Sequence, residues 1–314
     1  MKICVAGVGA FGIKHLEALA LISDAEVSVL VGGSDADHTH RVADRFRVPT
    51  VCATLDDALA RSDVDAVILC TPTPLHARQA IACLQAGKHV QVEIPMADNL
   101  ADAEALVREQ ERTGLVAMAG HTRRYNPSHQ WVNRRLQTKQ LQLQHLHVQT
   151  FFFRRSNTNL LGKSRSWTDH LLWHHACHTV DLFQYQTGEP VTRWHALQGP
   201  PHPELGIAMD MSIHMQVPSG ALCSLALSFN NEGPQGTTFR YICDNGTYLA
   251  NYDDLVDGKG NGVDLSGVDV SMNGIELQDR EFIAAIQASR QPRSSVASVL
   301  PAYECLHRLS QTLG

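Results

Sequence analysis

Near the amino terminus, Gly7-Val8-Gly9-Ala10-Phe11-Gly12 reads G-x-G-x-x-G between an apolar strand-like run, Lys2–Val8, and a helical pattern beginning at Ile13. That order of parts can hold a pyrophosphate. Gly7 permits the tight turn, Gly9 lets backbone approach the phosphates with no side chain between, and Gly12 lets helix pack closely on strand. The helix N-terminus, with the amides of Ala10 and Phe11, adds partial positive charge. The motif predicts dinucleotide binding; a purely structural turn is the alternative.

The second strand ends Val31-Gly32-Gly33-Ser34, with no acid before Asp35. A carboxylate there would hold the ribose hydroxyls of NAD and repel a 2′-phosphate. Its absence, with Gly33 amides and the Ser34 hydroxyl available and Arg41 the nearest cation, predicts NADP. NAD as a second cofactor is the alternative. Thr71-Pro72-Thr73-Pro74-Leu75-His76 follows the fourth strand, at the carboxyl edge where such sheets bind ligands, and either lines the dinucleotide cleft or is a simple loop.

A second group lies between His121 and His178. Nine Lys/Arg stand there against one acid, Asp169, in a chain whose net charge is −6, and eight of its 17 histidines fall in the same stretch. The stretch is either a solvated basic surface or a pocket for an anionic substrate. Planar guanidinium forks suit carboxylates, and the candidates are Arg123, Arg124, Arg154, Arg155 and Arg165. Arg154 and Arg155 end a strand-like run, so at most one of them reaches a ligand. Nucleic acid is disfavoured, because the chain as a whole is acidic.

Histidine titrates near neutrality and suits proton transfer. His174 and His178 stand four apart on one face of a helix expected over Trp173–Gln184, with His175 about a quarter turn away. His178 is the candidate base and His174 a candidate substrate ligand. Asp181, three residues on from His178, could orient its ring. A buried, hydrogen-bonded role is the alternative for any one histidine. Metal ligation by His174, His178 and Asp181 is a minor alternative, because no distant third ligand is evident, and no metal is expected.

Taken in order, the glycine motif, Thr71-Pro72-Thr73-x-x-His76, Glu93-Ile94-Pro95, Arg123-Arg124-Tyr125-Asn126-Pro127 and His178-x-x-Asp181 resemble the glucose–fructose oxidoreductase/inositol dehydrogenase (Gfo/Idh/MocA) family across essentially the whole chain. The resemblance implies a Rossmann domain, a C-terminal substrate domain whose open sheet often forms the oligomer interface, and hydride transfer to nicotinamide. His178 occupies the family's histidine position and His174 that of an aspartate. The family's usual Glu-Lys-Pro has Ile94 in place of the lysine, which puts ordinary sugar-alcohol oxidation in doubt. Glu93 either contacts the nicotinamide side or is a buried structural carboxylate.

Within the family, the runs 120–124, 152–155, 165–175, 229–231 and 271–282 resemble a narrower group of NADP-linked dehydrogenases of protocatechuate breakdown. These oxidise the cyclic hemiacetal of a dicarboxylate semialdehyde to a lactone. That similarity adds Trp167, Thr168 and His175 to the substrate-binding candidates. A dehydrogenase of a sugar acid or inositol, and a non-catalytic NADP-binding regulator, are the competing readings.

The elements that must position these residues follow from periodicity. Strands at Lys2–Val8, Glu26–Val31, around Val51, and at Ala66–Cys70, His89–Val92 and Val116–Ala119 alternate with five helical patterns. This predicts an α/β fold with a doubly wound parallel sheet. After Gly120 come longer runs of period two, His145–Phe153, Gly220–Asn230, Phe239–Cys243 and Thr247–Tyr252. They predict an α+β domain with an open, largely antiparallel sheet, flanked by helices at Trp173–Gln184, Glu276–Ala288 and Val296–Leu313. The expected domains are 1–120 for NADP and 121–314 for substrate and oligomer contacts. Residues 254–267, rich in Gly and Asp, are expected to be a loop.

The 314 residues suit two domains. No apolar run approaches the ~18 residues of a membrane span, and the chain enters its first strand directly. Eight scattered cysteines without a C-x-x-C pair argue against a disulfide framework or zinc site. These features predict a reduced, cytoplasmic protein with a small dicarboxylate substrate, no nucleic-acid or membrane partner, and a homodimeric state.

Overall fold

A computed structural model describes residues 1–33, 35–158, 162, 164–165, 167–268 and 274–313. The chain divides into two compact units. One is chiefly Met1–His121 with Ile275–Leu300, the other chiefly residues 122–274 and 301–313.

In the first unit, strand and helix alternate: β1 (Lys2–Ala6), α1 (Ala10–Leu19), β2 (Glu26–Val31), α2 (Ala36–Phe46), β3 (Thr50–Cys52), α3 (Leu55–Leu59), β4 (Ala66–Leu69), α4 (His76–Gln85), β5 (His89–Val92), α5 (Leu100–Thr113) and β6 (Ala117–Ala119). The six strands form one parallel sheet in the order β3-β2-β1-β4-β5-β6. Both faces of such a sheet are covered, which is why β4, Ala66 to Leu69, is apolar throughout and fully buried. Chain order reverses between β1 and β4, the switch point at which these sheets bind ligands. α1 starts at Ala10 rather than Ile13, because Ile13 N–H already donates to Gly9 O at 3.0 Å.

The second unit contains α6 (Pro127–Gln137), β7 (Leu143–Phe151), α7 (Cys177–Thr187), β8 (Arg193–Gln198), β9 (Asp210–Gln216), β10 (Leu222–Ser228), β11 (Gly236–Cys243), β12 (Gly246–Asn251) and β13 (Asp254–Asp257). Its sheet runs β13-β12-β11-β7-β10-β9-β8, antiparallel except for the β7–β10 pair. Burial alternates along each central strand. Leu146 and Val148, Met211 and Ile213, and Cys223 and Leu225 point inward, whereas Gln149, Ser212 and His214 stay on the open face. α8 (Gly274–Gln287) and α9 (Val296–Ser310) complete the chain.

The open, mainly antiparallel sheet is as expected, but its extent is greater. α6, β8 and β9 were not anticipated, and part of the expected loop 254–267 is strand. β13 forms because Leu255, 3% exposed, opposes Ala250 of β12. β8 escapes pattern reading because only Ala196 of its six residues is buried. The helix expected at Trp173 starts earlier, as a π turn over Leu171–Ala176 that runs into α7. Among the described residues, no helix is long and apolar enough to cross a membrane.

Candidate active site

The three glycines of the turn differ in what surrounds them. Gly7 has φ +103°, and a Cβ there would lie 2.3 Å from Cys70 O; a Cβ on Gly12 would lie 1.9 Å from Gly7 O. These two positions are glycine for packing. Gly9 has nothing within 4 Å of the Cβ site. It caps α1 with no side chain, and no acid occupies the first turn of that helix. Bare amides at an open helix start fit a dinucleotide pyrophosphate. Ala10 and Phe11 lie in this first turn, with Phe11 47% exposed.

At the end of β2, Gly33 also has open space around it. Ser34 lies outside the described residues, as do Lys163 of the cationic stretch and Ser166 and Ser271–Asn273 of the similar runs. Asp35 turns back as the N-cap of α2, accepting His38 N–H at 2.9 Å. The His38 ring, unanticipated from sequence, donates from Nε2 to Val8 O at 3.0 Å.

After β4, Pro72 leads a short 3₁₀ turn over Thr73–Leu75, and Thr71 Oγ1 donates to Gln79 at 2.5 Å. His76 was expected to face the cofactor. Instead it is 2% exposed, with ring nitrogens 2.8 Å from Pro95 O and 2.7 Å from Thr71 O, so it ties two loops together. Burial depresses its pKa.

Glu93, at the end of β5, belongs to a buried cluster. His15 of α1 places Nε2 3.0 Å from Glu93 Oε1 and Nδ1 2.9 Å from Asp279 of α8. Gln91 donates to Asp279 at 2.7 Å. Burial opposes charge on His15, but the adjacent Asp279 outweighs it and raises the imidazole pKa well above the ordinary range. Burial raises Asp279. For Glu93, burial acts upward, and the His15 hydrogen bond and charge bring the net shift downward.

In the second unit, Asp169 is the centre of the cationic group. Arg154 Nη2 and Asp169 Oδ2 are in close contact, Arg165 Nη1 is 2.8 Å from Oδ1, and His174 Nε2 lies 3.7 Å away. Although burial acts against its charge, His174, Arg154 and Arg165 bring the Asp169 pKa down to about 2. Trp167 lies 5.5 Å from the His174 ring, and Arg165 is stacked over Trp167. Thr168 is half-buried beside them in sequence. The π turn carries His174 and His175 on a wider spiral than an α-helix, and such turns recur at functional sites.

Several expected roles change. Arg165 gives its Nε and Nη2 to Thr158 O, at 3.2 and 3.0 Å, which leaves this side chain little capacity for a substrate. Arg124 and Asp181 are taken up by each other in a buried two-point pair, at 2.8 and 2.5 Å. Asp181 therefore serves as a structural anchor for Arg124. Among the described residues, no group of three His, Cys, Asp or Glu is arranged to hold a metal ion. His175 sits between the Phe152 and Phe229 rings, and burial drives its pKa down to about 3, so it is a neutral wall.

Arg123 is packed against aromatic rings. Its guanidinium lies over the Tyr252 ring at 4.7 Å and the Phe239 ring at 5.7 Å, and its Nη1 donates to Asn126 Oδ1 at 3.4 Å. Burial lowers its pKa from the usual arginine value. Arg155 is exposed, over Phe153 and bonded to Asn230, whereas Arg154 turns inward to Asp169. The alternation expected of that pair therefore holds. His178 stands half-buried in the first turn of α7.

Sequence reading missed Asp169, whose signal was its isolation among nine cations. It also missed His15 and Asp279, for which no local signal existed. A shallow cavity of about 520 Å³ opens on the exposed sheet face, lined by Leu197, Asp210, Met211, Ala226, Ser228 and neighbours. None of the expected site residues lines it.

Residues 1–121 match the family described as "Oxidoreductase family, NAD-binding Rossmann fold", known as Gfo/Idh/MocA, and residues 127–269 match "Bacterial oxidoreductases, C-terminal". The chain is 59% identical, over all of its length and 99% of the relative, to the 4-carboxy-2-hydroxymuconate-6-semialdehyde dehydrogenase of Sphingobium sp. strain SYK-6. It is 32% identical to the myo-inositol 2-dehydrogenase of Thermotoga maritima, over 40% of this chain and 37% of that one. The UDP-N-acetylglucosamine 3-dehydrogenase of Acidithiobacillus ferrooxidans shares the fold, with a TM-score of 0.82 at 21% identity over 100% of this chain and 97% of its own.

Proposed function

The chain belongs to the Gfo/Idh/MocA family of NAD(P)-dependent oxidoreductases, and on that premise we propose that it oxidises the cyclic hemiacetal of 4-carboxy-2-hydroxymuconate-6-semialdehyde to the lactone 2-pyrone-4,6-dicarboxylate. One observation carries the substrate class. Arg154, Arg165 and His174 gather round a single carboxylate, Asp169, so the group keeps an excess of positive charge suited to a dicarboxylate.

In this reading the turn of Gly7, Gly9 and Gly12 and the start of α1 would hold the dinucleotide, which would supply the acceptor for the hydride leaving the hemiacetal carbon. His178 takes the hydroxyl proton, so the C–O bond becomes the lactone carbonyl. His174 and Arg123 bind carboxylate oxygens, with Arg154 and Arg165 supplying field more than free donors. Trp167 and Thr168 flank the ligand. Ile94, 8% exposed, offers no proton acceptor where the family usually has lysine. A hemiacetal hydroxyl is more acidic than a sugar alcohol, so an imidazole suffices.

NADP is the proposed cofactor, because the first acid after β2, Asp35, is engaged as a helix cap and Gly33 is open. NAD is the second candidate. Homodimerisation is proposed through the open sheet face, where Leu197 and Leu222 are 64% and 43% exposed.

The test is turnover of the hemiacetal by purified protein with NADP and with NAD, followed by reduced nicotinamide absorbance, with myo-inositol as comparator. His178→Gln should lower kcat by about 10²-fold or more, whereas His174→Gln should chiefly raise KM. No turnover with either cofactor would refute the assignment.

A further inference from the structure

The buried group Glu93–His15–Asp279 has a charge that its geometry determines. Each ring nitrogen of His15 faces a carboxylate, at 3.0 and 2.9 Å. A neutral imidazole can donate from one nitrogen only, so two protonation patterns fit. Either the ring is cationic between two carboxylates, or the ring is neutral and one acid keeps the proton. Both patterns sum to −1. The polar neighbours Gln91 and Gln278 are uncharged, at 2.7 and 3.4 Å. Burial raises the Cys70 thiol and lowers His76, whose two ring nitrogens are engaged by the Pro95 and Thr71 carbonyls rather than by the cluster.

The position of this charge gives it a function. His15 and Asp279 are fully buried, whereas the Glu93 side chain is 10% exposed, immediately after β5. A dinucleotide on this sheet places its pyrophosphate at the β1–α1 turn and its adenosine ribose at the end of β2. Its other half must then extend over the ends of β4 and β5. The nicotinamide ring is cationic when oxidised and neutral when reduced, so a fixed negative charge near it acts on one form only.

We propose that the Glu93–His15–Asp279 cluster sets the preference of this protein for oxidised over reduced dinucleotide, with Glu93 as the specificity-determining residue. This rests on dinucleotide binding by the first unit and not on the substrate assigned above. Absence of turnover with the hemiacetal therefore leaves it standing.

The experiment is titration calorimetry of the full-length protein with NADP⁺ and with NADPH, read as the ratio of the two Kd values. Glu93→Gln should weaken NADP⁺ binding about fivefold, as expected for one charge acting across ~10 Å of partly screened protein, and should leave NADPH binding within about twofold. Glu93→Asp, which keeps the charge, should retain the wild-type ratio. Asp279→Asn should shift the ratio in the same direction by less, and it decides the matter if Glu93→Gln does not fold. Equal weakening of both forms would mean that the cluster only braces the fold. An unchanged ratio would likewise overturn the proposal.

Discussion

Arg124 and Asp181 meet edge to edge, with Nε and Nη2 at 2.8 and 2.5 Å from the two carboxylate oxygens and the side chains only 5% and 2% exposed. The guanidinium also lies over the Tyr185 ring at 4.6 Å. Removing one partner leaves the other charge buried. Asp181→Ala should therefore cost about 3–5 kcal/mol of stability, and an Arg124→Met/Asp181→Leu double variant should recover most of it. Urea unfolding of the variants would show this. A loss within about 1 kcal/mol for Asp181→Ala would mean that the pair is not a structural anchor.

The glycine turn separates fold from binding. In Gly12→Ala the added methyl meets Gly7 backbone at 1.9 Å, so stability should fall by about 1–3 kcal/mol. Gly9→Ala meets nothing within 4 Å and should melt as wild type does. It should nevertheless lose about tenfold or more in dinucleotide affinity, ~1.4 kcal/mol, because its methyl occupies the phosphate approach. Thermal melts with and without NADP distinguish the two variants.

Acid should destabilise the protein in two overlapping ranges. The His175 pKa is about 3 in the fold, against roughly 6.5 for an unfolded histidine. The unfolded chain binds the proton first, so this contribution is complete above pH ~6.5 and declines as pH falls toward ~3. The Asp169 pKa is about 2, against ~3.9 unfolded, so its contribution of about 2.5 kcal/mol is complete above pH ~4 and lost toward pH ~2. His175→Phe should flatten the stability profile between pH ~6.5 and ~4, and Asp169→Asn should flatten it below pH ~4. Identical profiles for His175→Phe and wild type would refute the buried neutral ring.

The exposed sheet face should hold two copies together. A charge at Leu222, 43% exposed at the start of the interior strand β10, should yield a monomer in light scattering for Leu222→Asp. Alanine at the exposed Glu111 of the first unit should leave the assembly unchanged. A Leu222→Asp protein of wild-type mass would place any interface elsewhere.

What could be read along the chain was whatever local sterics and periodicity decide. The G-x-G-x-x-G spacing specified a turn that only glycine can make at positions 7 and 12, and apolar runs such as Ala66–Leu69 declared a sheet covered on both faces. Alternation in β7 and β10 announced a sheet with one open face. The density of cations from His121 to His178 was equally plain. Partner choice was not. Arg124 and Asp181 are 57 residues apart, and His15 meets Asp279 across 264. Only folding determines which charge a given arginine must neutralise, because burial makes an unpaired charge costly and leaves the nearest opposite charge as its partner. Composition thus identified the groups able to do chemistry, and tertiary packing decided which remain available for it and which hold the fold together.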